Sequence, residues 1–136
     1  MKLFVSILLV FFNLSFLSAN SERLEFIPTY NQAIEKAVKE NKVMLLLVDQ
    51  QGCPACDYMK NIVLKDKDVV KELNKYYVVT KADKNGLPDG IRIKGTPTFF
   101  FYKPNGKRIR YNILGANKPN LFVSKLRKVR RVLLSK

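Results

Sequence analysis

The sequence contains no histidine and only two cysteines among its 136 residues. Without histidine, a Ser-His-Asp triad, a Cys-His dyad and a histidine-ligated zinc or haem are excluded. Two cysteines are too few for a small protein built on disulfides, or for a metal site made of four cysteines. Acidic residues are also scarce, 11 against 25 basic ones, and the formal net charge is +14. The available chemistry is therefore confined to a small set of side chains.

Length and composition predict one folded domain after an exported leader. A hydrophobic fraction of 47% is ordinary for a globular protein, and the length suits a single domain. Residues 1–19 combine one early lysine, a long apolar run and small residues at the end, which is typical of a secretory signal peptide. We expect cleavage after Ala19 and a domain over residues 20–136. Because Leu17 is bulky for its position before the cut, an uncleaved amino-terminal membrane anchor is the alternative.

The apolar pattern predicts an alternation of helices and strands. Spacings of three and four residues indicate helices, and short apolar or β-branched runs indicate strands. The expected order is a helix over 30–40, a strand over 43–48, a helix from Pro54, a short helix after Asp66, a strand over 76–80, a strand over 98–102, a two-residue turn within 104–107, a strand over 109–113 and a helix from Pro119.

Particular residues support these helices. Thr29 and Asp66 are suitable N-caps for the helices that follow them. The expected apolar faces comprise Ala33, Ile34, Ala37 and Val38 on the first helix, Cys56, Met59, Ile62 and Val63 on the second, Val69, Val70 and Leu73 on the third, and Phe122, Leu126, Val129 and Leu133 on the last. The early strands should pair in parallel and the late hairpin antiparallel. An α/β fold follows, with a central mixed sheet and helices on both faces.

The pair Cys53-Pro54-Ala55-Cys56 directly follows a buried strand and begins a helix. The unpaired N–H groups at a helix start favour an anion, so the pKa of a thiol there falls and the thiolate is stabilised. A thiolate attacks a disulfide through a mixed disulfide, which a second thiol one turn away can resolve. The spacing therefore predicts redox chemistry at Cys53 and Cys56.

Three other interpretations of the cysteine pair remain open. A metal site would need ligands from a second chain, because this chain has neither histidine nor a third cysteine. A permanent structural disulfide would close only a four-residue loop and would stabilise the fold little. Two ordinary buried thiols are disfavoured in an exported protein.

A second motif, Gly95-Thr96-Pro97-Thr98, precedes a predicted strand. Bonds before proline are the usual place for a cis peptide, and proline is tolerated at the first residue of a strand. In the company of the cysteine pair upstream, we expect the bond between Thr96 and Pro97 to be cis.

Together, the two motifs and the order of elements resemble the thioredoxin superfamily, and most closely its exported branch that includes SoxW-type proteins. The resemblance covers roughly residues 33–126. It implies a thioredoxin-like fold, with Cys53 as the attacking thiol and Cys56 as the resolving one. It also implies that Pro97 faces the disulfide and that the backbone of Thr96 binds a substrate strand. No cofactor or metal is implied.

Two positions depart from the thioredoxin pattern. Gly52 stands where a tryptophan usually precedes the first cysteine, and Leu47 stands where a buried acid is usual. Asp49 is near, but we expect it one strand step away from the side of the missing acid. It either replaces that acid or caps the end of the strand.

Seven basic residues and no acidic one occupy positions 118–136 (Lys118, Lys125, Arg127, Lys128, Arg130, Arg131 and Lys136), and Lys107, Arg108 and Arg110 add to them. On the last helix the cations should lie opposite the apolar side. They form either a solvated face or a surface for anionic lipid heads or acidic proteins. Nucleic acid is not expected as a partner, and a monomer is.

The cysteine pair, the leader and the resemblance, which implies a bacterial periplasm, together predict a periplasmic thiol-disulfide oxidoreductase. It should reduce or exchange disulfides of other proteins and be reduced itself by an upstream dithiol donor. The alternative is a binding module with the same fold, whose disulfide is structural and whose basic face meets an acidic partner or a membrane.

Overall fold

The structure is a computed structural model that describes residues 22–135. The predicted signal peptide over residues 1–19 lies outside the described residues. So does the position of the predicted cleavage, which therefore stays a prediction.

Within residues 22–135, five strands and four α-helices follow one another largely as the sequence predicts. Thr29 and Asp66 cap helices with their side-chain oxygens, as expected. The elements are β1 (Phe26–Ile27), α1 (Tyr30–Glu40), β2 (Val43–Asp49), α2 (Pro54–Asn61), a 3-10 helix (Val63–Lys65), α3 (Lys67–Tyr76), β3 (Tyr77–Asp83), β4 (Thr98–Tyr102), β5 (Arg108–Leu114) and α4 (Pro119–Leu134).

The strands form one mixed sheet in the order β1-β3-β2-β4-β5. Strand β3 pairs in parallel with both β1 and β2, whereas β4 pairs antiparallel with β2 and with β5. The early parallel pairs and the late antiparallel hairpin confirm the predicted sheet. Because β2 lies at the centre, its end is held from both sides where the cysteine motif begins.

Two apolar clusters, one on each side of the sheet, confirm that helices cover both faces. Alternate residues of β2 separate them: Leu45 and Leu47 pack with residues of α2, α3 and α4, while Met44 and Leu46 pack with Ala33 and Ala37 of α1. The α1 side is completed by partly buried residues of the loop over 84–97, which contains no helix or strand. The face carrying three helices is therefore more thickly covered than the face carrying α1.

Several details differ from the predictions. The two-residue strand β1 was not predicted, because so short a segment has no periodicity of its own. Ile62 is 53% exposed, since α2 ends at Asn61 and the chain turns into the 3-10 helix, and Val38 is 48% exposed at the rim of α1. The hairpin loop is longer than two residues: Lys103 and Lys107 are hydrogen-bonded across it, and Gly106 takes a positive φ of 81°.

A buried acid joins the last two helices. Glu72 on α3 is only 6% exposed, and its carboxylate accepts a hydrogen bond from Nε of Arg130 at 2.6 Å, with Nε of Arg127 at 3.7 Å. The bond to Glu72 raises the pKa of the Arg130 guanidinium, which also lies 4.0 Å from the ring centre of Tyr76. Two of the basic residues on α4 thus hold the helix in place.

We predict that Glu72→Gln lowers the free energy of unfolding by about 1.5–3 kcal/mol, the usual contribution of a hydrogen bond to a charged group. Urea unfolding followed by circular dichroism measures this loss. The matched control is Glu35→Gln on α1, an exposed position, which should change stability by less than about 0.5 kcal/mol. Equal losses in the free energy of unfolding for Glu72→Gln and Glu35→Gln would contradict a stabilising role for the contacts of Glu72 with α4.

Candidate active site

The sulfur of Cys53 lies at the beginning of α2. The chain leaves β2 at Asp49 and turns through Gly52, whose φ is +71°, so that Cys53 becomes the N-cap of the helix and Pro54 occupies its first turn. The backbone N–H of Cys56 points at the sulfur of Cys53, with 3.1 Å between N and Sγ. An N–H group that donates to sulfur stabilises a thiolate, because it meets negative charge with the positive end of the helix dipole.

Cys53 and Cys56 form a disulfide, with their Cα atoms 5.2 Å apart. Cys56 is completely buried, whereas Cys53 retains 6% exposure. A partner sulfur can therefore reach Cys53 from solvent but cannot reach Cys56 without displacing the helix. The structure brings together the two cysteines that the sequence predicts to react, and it makes Cys53 the accessible one.

The loop before β4 lies directly against this disulfide. The peptide bond between Thr96 and Pro97 is cis. The hydroxyl oxygen of Thr96 lies 3.5 Å from Sγ of Cys53 and its carbonyl oxygen 3.7 Å from the same atom. Residues 43 positions apart in sequence thus meet at one sulfur, and the backbone of Thr96 is positioned beside any group bound to it.

Two hydrogen bonds that the sequence analysis missed hold this loop in place. The backbone N–H of Gly115 donates to the carbonyl of Pro97 at 2.8 Å, and the hydroxyl of Thr98 donates to the carbonyl of Gly95 at 2.6 Å. Gly115 has a φ of +83°, a conformation that favours glycine. The available signal for Gly115 was a glycine two residues after the predicted strand over 109–113.

The position of Asp49 corrects one expectation. Asp49 follows Leu47 by two residues on the same strand, so both side chains point to one face, the face on which α2 packs. Its carboxylate lies 3.1 Å from Nζ of Lys60 on α2, and this bond raises the pKa of the lysine. The expectation that Asp49 lies off the side of the missing acid is therefore wrong. Leu47 itself is buried in the core beside Met59.

Over residues 22–135, no helix is long and apolar enough to cross a membrane. Within the same range, His, Cys, Asp and Glu side chains do not gather in groups of three that could hold a metal ion.

Comparison with known proteins places this geometry in a family. The profile of the thioredoxin-like domain family matches residues 30–130. Among curated proteins, none is significantly similar in sequence. A solution structure of a thioredoxin from Thermus thermophilus shares 27% identity, with 78% of this chain and 86% of that chain covered and a TM-score of 0.67.

Two more solved structures share the fold. One is described as the DsbH oxidoreductase, with 19% identity, coverage of 81% of this chain and 86% of that chain, and a TM-score of 0.63. The other is the oxidised C-terminal domain of DsbD from Neisseria meningitidis, with 21% identity, coverage of 72% and 90%, and a TM-score of 0.57. At these identities the likeness concerns the fold. The family and the bonded cysteine pair support thiol-disulfide oxidoreductase chemistry in general.

We predict that Thr96→Val slows alkylation of the reduced Cys53 by iodoacetamide at neutral pH about fivefold, the effect of losing one hydrogen bond of about 1 kcal/mol to the thiolate. Each variant is made in the Cys56→Ser protein, so that only Cys53 can react. The alkylation is quenched at set times and its extent is measured by mass spectrometry. Thr80→Val is the matched control, because its hydroxyl bonds to the carbonyl of Ile27, far along the chain from the site. The role assigned to the hydroxyl is wrong if both variants react at the wild-type rate.

Proposed function

This chain belongs to the thioredoxin-like domain family, and we propose that it is an exported thiol-disulfide oxidoreductase of the SoxW-like type, which reduces or exchanges disulfides of other periplasmic proteins. The observation that carries the proposal is the pairing of a partly accessible Cys53, with an N–H group directed at its sulfur, and a buried Cys56 within bonding distance. Export is supported by the signal-like residues 1–19.

The reaction begins from the reduced dithiol. The Cys53 thiolate attacks one sulfur of a substrate disulfide, so a mixed disulfide forms and the other substrate sulfur leaves as a thiolate. Cys56, once deprotonated, then attacks the sulfur of Cys53. That step releases the second substrate thiolate and closes the Cys53–Cys56 bond. Two electrons have passed to the substrate, and a dithiol donor upstream returns the protein to its reduced form.

Each cysteine's surroundings suit its step. The backbone N–H of Cys56 is directed at the sulfur of Cys53, an arrangement that favours a thiolate there both as attacking and as leaving group. Burial keeps Cys56 from reacting with outside disulfides, while its position leaves it next to the mixed disulfide. We propose that the backbone of Thr96, beside Pro97, aligns the substrate segment that carries the attacked sulfur.

We predict that the reduced protein accelerates precipitation of insulin by dithiothreitol and that Cys53→Ser abolishes the acceleration, since the attacking sulfur is lost. Turbidity measures the rate. Reduced Cys56→Ser, incubated with insulin in the absence of dithiothreitol, should instead accumulate a mixed disulfide with insulin, visible as a mass increase that disappears on reduction. The double variant Cys53→Ser/Cys56→Ser is the control for uncatalysed precipitation. Equal turbidity curves for the wild type and Cys53→Ser would overturn the assignment.

A binding module with a structural disulfide is the competing function, and a redox titration separates the two. Equilibration with glutathione buffers followed by alkylation and mass analysis gives the potential of the Cys53–Cys56 pair. We expect a potential above about −300 mV, in the range of exchanging dithiols. A pair that remains oxidised below that value would favour the structural role.

A further inference from the structure

A groove lined by basic residues lies beside the active site, on the thinly covered face of the sheet. Alternate residues of β5 (Arg108, Arg110 and Asn112) line it together with Phe100 of β4. Phe100 belongs to the apolar cluster on the α1 side, so this row of β5 faces that side too. No helix of the described residues 22–135 covers the row, and its arginines are exposed.

The loop over 84–97 forms the other wall of the groove. Arg92 lines two adjoining cavities of about 290 and 300 Å³, and Lys94 lines the second of them. Both cavities share Phe100 and Asn112, so they form one elongated depression. We name this depression, with Arg92, Lys94, Arg108 and Arg110, the cationic groove.

The four cations of the cationic groove lack acidic partners within the described chain. Over residues 22–135, each ion pair within 4.0 Å involves other basic residues, and no acidic residue lines either cavity. The contrast with α4 is direct, because Arg127 and Arg130 there are paired with Glu72. Four like charges along one concave surface create a positive potential that an anionic ligand would relieve.

The cationic groove begins at the active site. Its inner end is lined by Thr98 and Leu114, which pair with each other across β4 and β5. The hydroxyl of Thr98 donates a hydrogen bond to the carbonyl of Gly95, the neighbour of Thr96. The hydroxyl oxygen of Thr96 in turn lies 3.5 Å from Sγ of Cys53. Leu114 and Arg108 pair with Thr98 and Tyr102 of β4, and β5 is bulged between them, so the groove spans about 13 Å at about 3.3 Å per residue of β4. An extended polypeptide whose cysteine is bonded to Cys53 could thus lie along the groove over about four residues.

We propose that the cationic groove binds an acidic segment of the disulfide-bearing substrate, with Asp or Glu residues a few positions from the attacked cysteine. The proposal rests on the proposed function, whose substrate class it narrows. A polypeptide fits better than a membrane surface, because the site is an elongated depression that begins at Thr98, two residues after Thr96, rather than a flat or protruding patch.

Two disulfide-linked reporter peptides of equal length test the proposal, one with Glu at the third and fifth positions after its cysteine and one with Gln there. The measured quantity is the ratio of kcat/KM for the acidic and the neutral peptide, using the reduced full-length protein at low ionic strength. We expect a ratio of about ten in the wild type, falling towards one in about 0.5 M NaCl. Arg108→Gln/Arg110→Gln should bring the ratio close to one at low salt.

Lys128→Gln/Arg131→Gln is the matched control, because it removes the same charge from exposed positions of α4 and should keep the ratio near ten. Equal rates for both peptides in the wild type would overturn the groove proposal and leave the oxidoreductase intact. A ratio abolished by the α4 changes and not by the β5 changes would also overturn it. If neither peptide is reduced, the proposed function fails and the groove proposal with it.

A vesicle arm distinguishes a lipid ligand. If sedimentation with phosphatidylglycerol vesicles is lost in Arg108→Gln/Arg110→Gln while the peptide ratio is near one in the wild type, the groove binds lipid and the proposal is wrong. Circular dichroism of each variant checks that the fold is intact. All four substituted residues are exposed, so the substitutions should not unfold the protein, and a changed ratio has to come from the lost charges.

Discussion

The contact between the N–H of Cys56 and the sulfur of Cys53 is the interaction on which the proposed chemistry depends. It exists because β2, buried between two neighbours at the centre of the sheet, delivers the chain to a glycine turn that starts α2 at the first cysteine. The strand fixes where the helix begins, and the helix fixes which sulfur meets its donor groups. A displacement of the helix start by one residue would move that donor from the accessible cysteine. The packing of β2 in the apolar core thus helps to hold the sulfur of Cys53 at the amino-terminal end of α2.

The basic residues divide into groups with different physical roles. Arg127 and Arg130 pair with the buried carboxylate of Glu72 and join α3 to α4, so their positive charge is partly balanced within the fold. Lys60 is engaged by Asp49 close to the active site. No such partner exists among residues 22–135 for the four cations that line the cationic groove, Arg92, Lys94, Arg108 and Arg110. Net charge alone does not make this distinction, which depends on where the few acidic residues fall.

Much of the fold could be predicted from the sequence, because its signals are local. Thr29 and Asp66 are typical N-caps and indicate where helices begin, and the run from Val43 to Val48 has the length and composition of a central strand. The cysteine pair of the active site could also be identified from the sequence, because its spacing is local. Features decided by distant contacts were not: β1 exists only because it pairs with β3, and Gly115 matters only because Pro97 lies across from it. The face of Asp49 could have been read from its spacing of two residues from Leu47, whereas its pairing with Lys60 could not, because Lys60 lies on another element.

The segment between β3 and β4 has a consequence for how this protein could diversify. Over 84–97 the chain forms neither helix nor strand, yet it ends at the residues that contact the reactive sulfur. Insertions or deletions in its middle would widen or narrow the cationic groove while the central strands keep their register. On the proposed function, substrate selectivity and reactivity would then reside in different stretches of chain, so related proteins could change substrate without changes at the redox centre.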